Sequence, residues 1–123
     1  MKNQSSNVNN QKKLVLFINH KLRSLGIKTS HKGYKLIIMA IQLKLKEEYE
    51  FLKLELIYEQ IGKTINKTAK QVEDCIYYAI THRNYQVSEK GFEKVFGYSY
   101  DETVFSNKEF FEEFINLLQL NVF

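Results

Sequence analysis

The chain has 123 residues, with 18 Lys and Arg against 14 Asp and Glu, no proline, five glycines and one cysteine. That length supports one compact domain rather than two. The lone Cys75 excludes an intramolecular disulfide and fits a reducing cytoplasm, and the lack of proline favours long helices joined by short polar turns.

The net charge of +4 hides an asymmetry. Lys2, Lys12, Lys13, Lys21, Arg23, Lys28, Lys32, Lys35, Lys44 and Lys46 precede the first acid, Glu47, and acids outnumber bases from there on. A basic first third suits a polyanionic partner and equally a solvated lysine-rich surface. Period-two alternation is scarce, so no sheet is expected. No run is long enough to cross a membrane, and the polar residues 1–13 do not form a signal peptide.

Residues 1–11 (MKNQSSNVNNQ) are a polar leader, expected to be disordered. A helical domain is expected over 12–123. Its first helix covers 12–25, with Leu14, Phe17, Ile18, Leu22 and Leu25 on one face and Gly26 as the stop. After a short connection, Ser30 is placed to cap a second helix running from His31 into the region 47–52, with Tyr34, Ile37, Ile38, Ile41 and Leu45 inward. Its start joins free amides to Lys32 and His31, a pattern that can hold a phosphate oxygen and equally an ordinary helix start.

Residues 54–84 read as helix, turn, helix. Ile57, Ile61 and Ile65 mark one stripe, and Asn66-Lys67-Thr68 the break. Val72, Ile76, Ala79 and Ile80 mark the second stripe, with Cys75 beside it as a small buried thiol. Thr68 and Gln71 have capping-box spacing, and Gly62 is placed where the two helices cross. Such a pair is the helix-turn-helix unit, whose second helix lies in a DNA major groove. A short helix over 89–96 ends at Gly97, followed by a loop to Ser106. Asn107 or Ser106 caps the last helix, 108–120. Phe110, Phe111, Phe114 and Leu118 cover so much of it that it is either core or a dimer or partner surface.

No catalytic constellation is present. His20, His31 and His82 are far apart in sequence and lack metal-ligand spacing. No glycine-rich phosphate loop occurs, and the glutamate runs fit solvated helix faces. Neither a metal nor a cofactor is expected, and a binding module is favoured over an enzyme.

Several ordered motifs are similar to one family. Leu25-Gly26-Ile27 with His31-Lys32-Gly33-Tyr34 comes first, followed by Thr68-Ala69, Val72-Glu73, Ile76 and Ala79-Ile80. Phe96-Gly97-Tyr98 and Asn107 with Phe110 complete the set. Together they resemble the C-terminal effector domain of the sporulation master response regulator, stage zero sporulation protein A, here without the receiver domain. The resemblance implies an all-α bundle of about six helices in the cytoplasm that binds double-stranded DNA through the helix starting near Thr68 and forms dimers on its sites. It places Thr68, Lys70, Gln71, Glu73, Asp74 and Tyr77 toward the major groove, and Lys28, Lys32, Lys63 and Lys67 toward phosphates. One departure stands out: where the family carries arginines on the outer face of the recognition helix, this chain has Gln71, Asp74 and Tyr77. Gln71 can read adenine, and Glu73 or Asp74 can accept from cytosine. The alternative is a degenerate effector domain that binds or antagonises another regulator or RNA polymerase.

Overall fold

The structure, a computed structural model, describes residues 2–46, 53–97 and 105–121. Six helices follow one another: α1 (Lys2–Ser24), α2 (Lys32–Lys44), α3 (Leu54–Ile65), α4 (Ala69–Thr81), α5 (Tyr85–Phe96) and α6 (Asn107–Asn121). The described residues contain no strand, so the all-α bundle expected from the sequence is the fold. No helix among them is long and apolar enough to cross a membrane.

Three boundaries differ from the sequence reading, and at a fourth, one of the two expected caps is found. α1 begins at Lys2, so the expected leader is helical backbone. Nothing before Gly26 breaks a helix, and once the half bearing Ile18 and Leu22 is anchored in the core, propagation costs little per residue. α2 is capped by His31 rather than Ser30, without a side-chain cap bond, and ends at Lys44; its expected continuation into 47–52 lies outside the described residues, as does most of the loop before Ser106. α5 starts at Tyr85 instead of residue 89. There the Asn84 side chain accepts from the amides of Gln86 and Val87 and fixes the start earlier. α6 is capped by Ser106: its hydroxyl accepts from the Glu109 amide at 3.1 Å, and Glu109 accepts from the Ser106 amide at 3.2 Å. The expected stops hold, with left-handed glycines at φ 81° after α1 (Gly26) and α5 (Gly97).

The core takes at least one stripe from every helix: Ile18 and Leu22, Ile37 and Ile41, Ile57 and Ile61, Val72, Ile76 and Ile80, Phe92 and Val95, Phe110 and Phe114. The broad apolar surface of α6 belongs to this core. Phe110, Phe111, Phe114 and Leu118 are each at most 2% exposed and pack into the core of the single chain. α6 packs against α2, α4 and α5 together, so a wide stripe finds partners within one chain. Phe110 also makes ring contacts with Phe105 and Phe114.

α4 sits centrally, packed against α2, α3 and α6. At its tightest contact a Cβ built on Gly33 of α2 would collide with the Cys75 carbonyl oxygen and lie 2.8 Å from Ala79 Cβ. Gly33 is thus the residue that lets α2 cross α4. Gly62 has another role: its α-carbon faces the Lys67 carbonyl, so it makes room for the turn and not for a helix crossing.

Candidate nucleic-acid interface

The α3–α4 connection is built by local chemistry. α3 ends on Asn66, left-handed at φ 60° and ψ 49°, a conformation asparagine adopts more readily than most residues. The Lys67 amide bonds back to the Gly62 carbonyl at 2.9 Å. The chain then extends through Thr68, whose hydroxyl accepts from the Gln71 amide at 3.1 Å, while Gln71 Oε1 accepts from the Thr68 amide at 2.9 Å. Two first-turn amides are thereby satisfied reciprocally, in the capping box that the Thr68-to-Gln71 spacing predicts.

With Val72, Ile76, Ala79 and Ile80 buried beneath it, α4 turns Lys70, Gln71, Asp74, Tyr77 and Tyr78 to solvent. Of the residues expected to face a groove, Thr68 is the exposed cap, and Lys70, Gln71, Asp74 and Tyr77 share the outer face. Glu73 is half-buried on the flank toward α6, where its backbone carbonyl accepts from Asn107 Nδ2 at 3.2 Å. The same amide group donates to the Tyr58 hydroxyl at 3.2 Å. Asn107 therefore braces α6 against α3 and α4 instead of capping α6. Burial pushes the Tyr58 hydroxyl up to about 12, against the opposing bond from Asn107, so it stays neutral and remains available to that brace.

Tyr78 is the outer-face residue that sequence reasoning missed. It is 51% exposed. The helical spacing of Gln71, Asp74 and Tyr78, three and four residues apart, carries the signal that could have found it. Cys75, expected buried, is a half-buried free thiol.

The electrostatics of the outer face run against a strong DNA reader. The Lys70 ammonium lies 3.1 Å from Asp74 Oδ1 and 3.5 Å from Glu73 Oε1. The hydrogen bond to Asp74, then its charge and that of Glu73, push the lysine pKa up. The one cation on this face is thus already held by two carboxylates. Gln71 is committed too, because its carbonyl oxygen is in the capping box, and bidentate reading of adenine would require releasing it. Positive charge lies around the helix instead. Lys63 on the last turn of α3, Lys67 in the turn, Lys28 before α2 and Lys32 on its first turn are all exposed, and α2 crosses α4 one residue beyond Lys32.

A short helix, a three-residue turn with a left-handed residue, and a capped second helix with an exposed outer face, within an all-α domain, are compatible with a helix-turn-helix. Residues 18–121 match the family model described as Sporulation initiation factor Spo0A C terminal. The chain belongs to that family, whose members are DNA-binding effector domains of a sporulation response regulator. No curated protein and no solved structure matches it.

Proposed function

We propose that this chain is a cytoplasmic transcriptional regulator, not an enzyme, that lays α4 in a DNA major groove. Its first turns, with Thr68, Lys70, Gln71, Glu73, Asp74 and Tyr77, meet the groove, and Lys28, Lys32, Lys63 and Lys67 hold phosphates on either side. The observation that carries this reading is the capped α4, exposed on one face and fixed on the other, in a member of a DNA-binding family. Base readout differs from that of an arginine-bearing helix: Gln71 donates through its side-chain amide nitrogen while its carbonyl oxygen stays in the capping box, Asp74 and Glu73 favour cytosine amino groups, and affinity comes from the flanking lysines. Two copies pairing on DNA would use residues other than the buried Phe110, Phe111, Phe114 and Leu118.

The double carboxylate clamp on Lys70 favours a second reading, in which the outer face has given up DNA for a regulator or RNA polymerase. Selection from a genomic DNA library, with affinity titrated against salt, separates the two. The DNA reading expects an enriched sequence and a log–log salt slope of about −3 to −4, as four phosphate contacts give. It also expects Lys67→Ala to make that slope shallower by about one. No enriched fragment, and a slope unmoved by Lys67→Ala, would leave the interaction-module reading.

A further inference from the structure

Three rings meet at the seam between α2 and α4. His31 lies edge-on to Tyr78 with centroids 5.1 Å apart, and His82 stacks on the same tyrosine at 3.8 Å and an interplanar angle of 17°. The two imidazoles are 6.5 Å apart, although some fifty residues separate them in the sequence. His82 is fixed through Nδ1, 3.0 Å from the Tyr78 carbonyl and 3.2 Å from the Thr81 hydroxyl. His31 Nδ1 is buried and has no hydrogen-bond partner. Tyr78 and His82 are exposed, on the same outer face as the groove-facing turns of α4.

Among the described residues, the segments that carry this trio hold little negative charge. The connection before α2 contributes Lys28, and the first turn of α2 contributes Lys32 and Lys35. No acid occurs in the chain before Glu47. On α4 the nearby carboxylate is Asp74, one turn before Tyr78 and paired with Lys70; Cys75 is the other titratable group there. At the α4–α5 junction Arg83 turns inward to Ser88 and the Ile80 carbonyl, and the Tyr85 hydroxyl donates to the Thr81 carbonyl. Among the described residues around the trio, a proton gained by either imidazole therefore meets no free carboxylate. An external phosphate supplies the missing partner, because an imidazolium–phosphate hydrogen bond is charge-assisted, and histidine changes charge in the neutral range.

We infer that the His31–Tyr78–His82 trio is a further contact of the interface, in which the two imidazoles bind the DNA sugar-phosphate backbone beyond the groove-facing turns of α4 and Tyr78 positions them. The inference rests on the DNA reading above and adds a pH dependence to it: binding tightens as the histidines gain protons.

Salt-titrated binding of the full chain to duplex DNA, at about pH 6 and about pH 8, tests it. The wild type is expected to bind on the order of ten-fold more tightly at the lower pH, with a salt slope steeper by about one to two, as added phosphate contacts require. His31→Gln/His82→Gln should abolish both differences, since glutamine gains no proton between the two pH values and so adds no counterion release at the lower one. Tyr78→Ala, which leaves both histidines in place, should reduce the pH effect, and thermal melting checks that each variant is folded. Equal slopes at both pH values in the wild type, or a pH effect surviving in the double variant, overturn the trio alone. Failure to bind duplex DNA at either pH overturns the DNA reading and this inference together.

Discussion

Gly33→Ala is expected to lower the stability of the domain by about 2 kcal/mol, or roughly 8 °C in melting temperature for a chain of this size. The added Cβ collides with the Cys75 carbonyl oxygen and comes to 2.8 Å from Ala79 Cβ. Neither is the end of a flexible side chain, so α2 must lift from α4. Lifting it opens the contact that buries Ile37, Ile76 and Ala79. Alanine recovers about 1 kcal/mol through its higher helix propensity, which moderates the loss without reversing it. Lys35→Ala, an exposed change on the same helix, is the control and should stay within about 0.5 kcal/mol. Thermal denaturation followed by circular dichroism reads both. Because Gly33 adjoins Lys32 and His31, DNA binding should weaken at temperatures where the variant is still folded.

The second large effect is a gain. Asp74→Arg replaces the carboxylate that lies closest to Lys70 with a cation at a position where the resemblance places arginine. It frees Lys70 from its shorter ion pair and puts a guanidinium on the outer face of α4. Losing an exposed i,i+4 pair costs the helix no more than about 0.5 kcal/mol. If that face meets DNA, affinity at moderate salt should rise on the order of ten-fold or more, and the salt slope should steepen by about one to two. Fluorescence anisotropy on a labelled duplex measures both. A change under about two-fold with an unaltered slope would place the outer face away from the phosphates.

What the sequence discloses here follows the range over which each interaction acts. The capping box of Thr68 and Gln71, the break at Asn66-Lys67-Thr68 and the inward stripe of α4 are local, and all are legible in the sequence; that Asn66 is left-handed is seen only in the structure. The box of Ser106 with Glu109 is equally local, yet the neighbouring asparagine competes for the same role until the structure assigns Asn107 to bracing Tyr58 and the Glu73 carbonyl. The Asn84 cap is local as well, and it moves the start of α5 to Tyr85.

Through-space relations are different. Nothing in the order of residues says that Gly33, rather than Gly62, makes room for a helix crossing, because the partner atoms at Cys75 and Ala79 lie some forty residues away. For the same reason the sequence alone leaves His31 and His82 as isolated histidines. The breadth of apolar residues on α6 is visible in sequence, but whether they face a second protein or three helices of the same one is decided by packing. Arg83, to which the sequence reading assigns no role, is 3% exposed, with its guanidinium 4.5 Å from the Tyr85 ring and its Nε donating to Ser88 at 3.0 Å.

If the first turns of α4 read bases, one substitution shows it with little disturbance to the fold. Glutamate at the third helical position completes a capping box as well as glutamine does, so Gln71→Glu keeps the bond to the Thr68 amide while removing the amide donor that adenine recognition needs. The measurement is the DNA sequence preference of wild type and Gln71→Glu, selected side by side from one random library. The expected result is a shift at a single base-pair position, from adenine toward cytosine, with the rest of the site retained. An identical preference for the two proteins, or no preference for either, would contradict the placement of α4 in the groove.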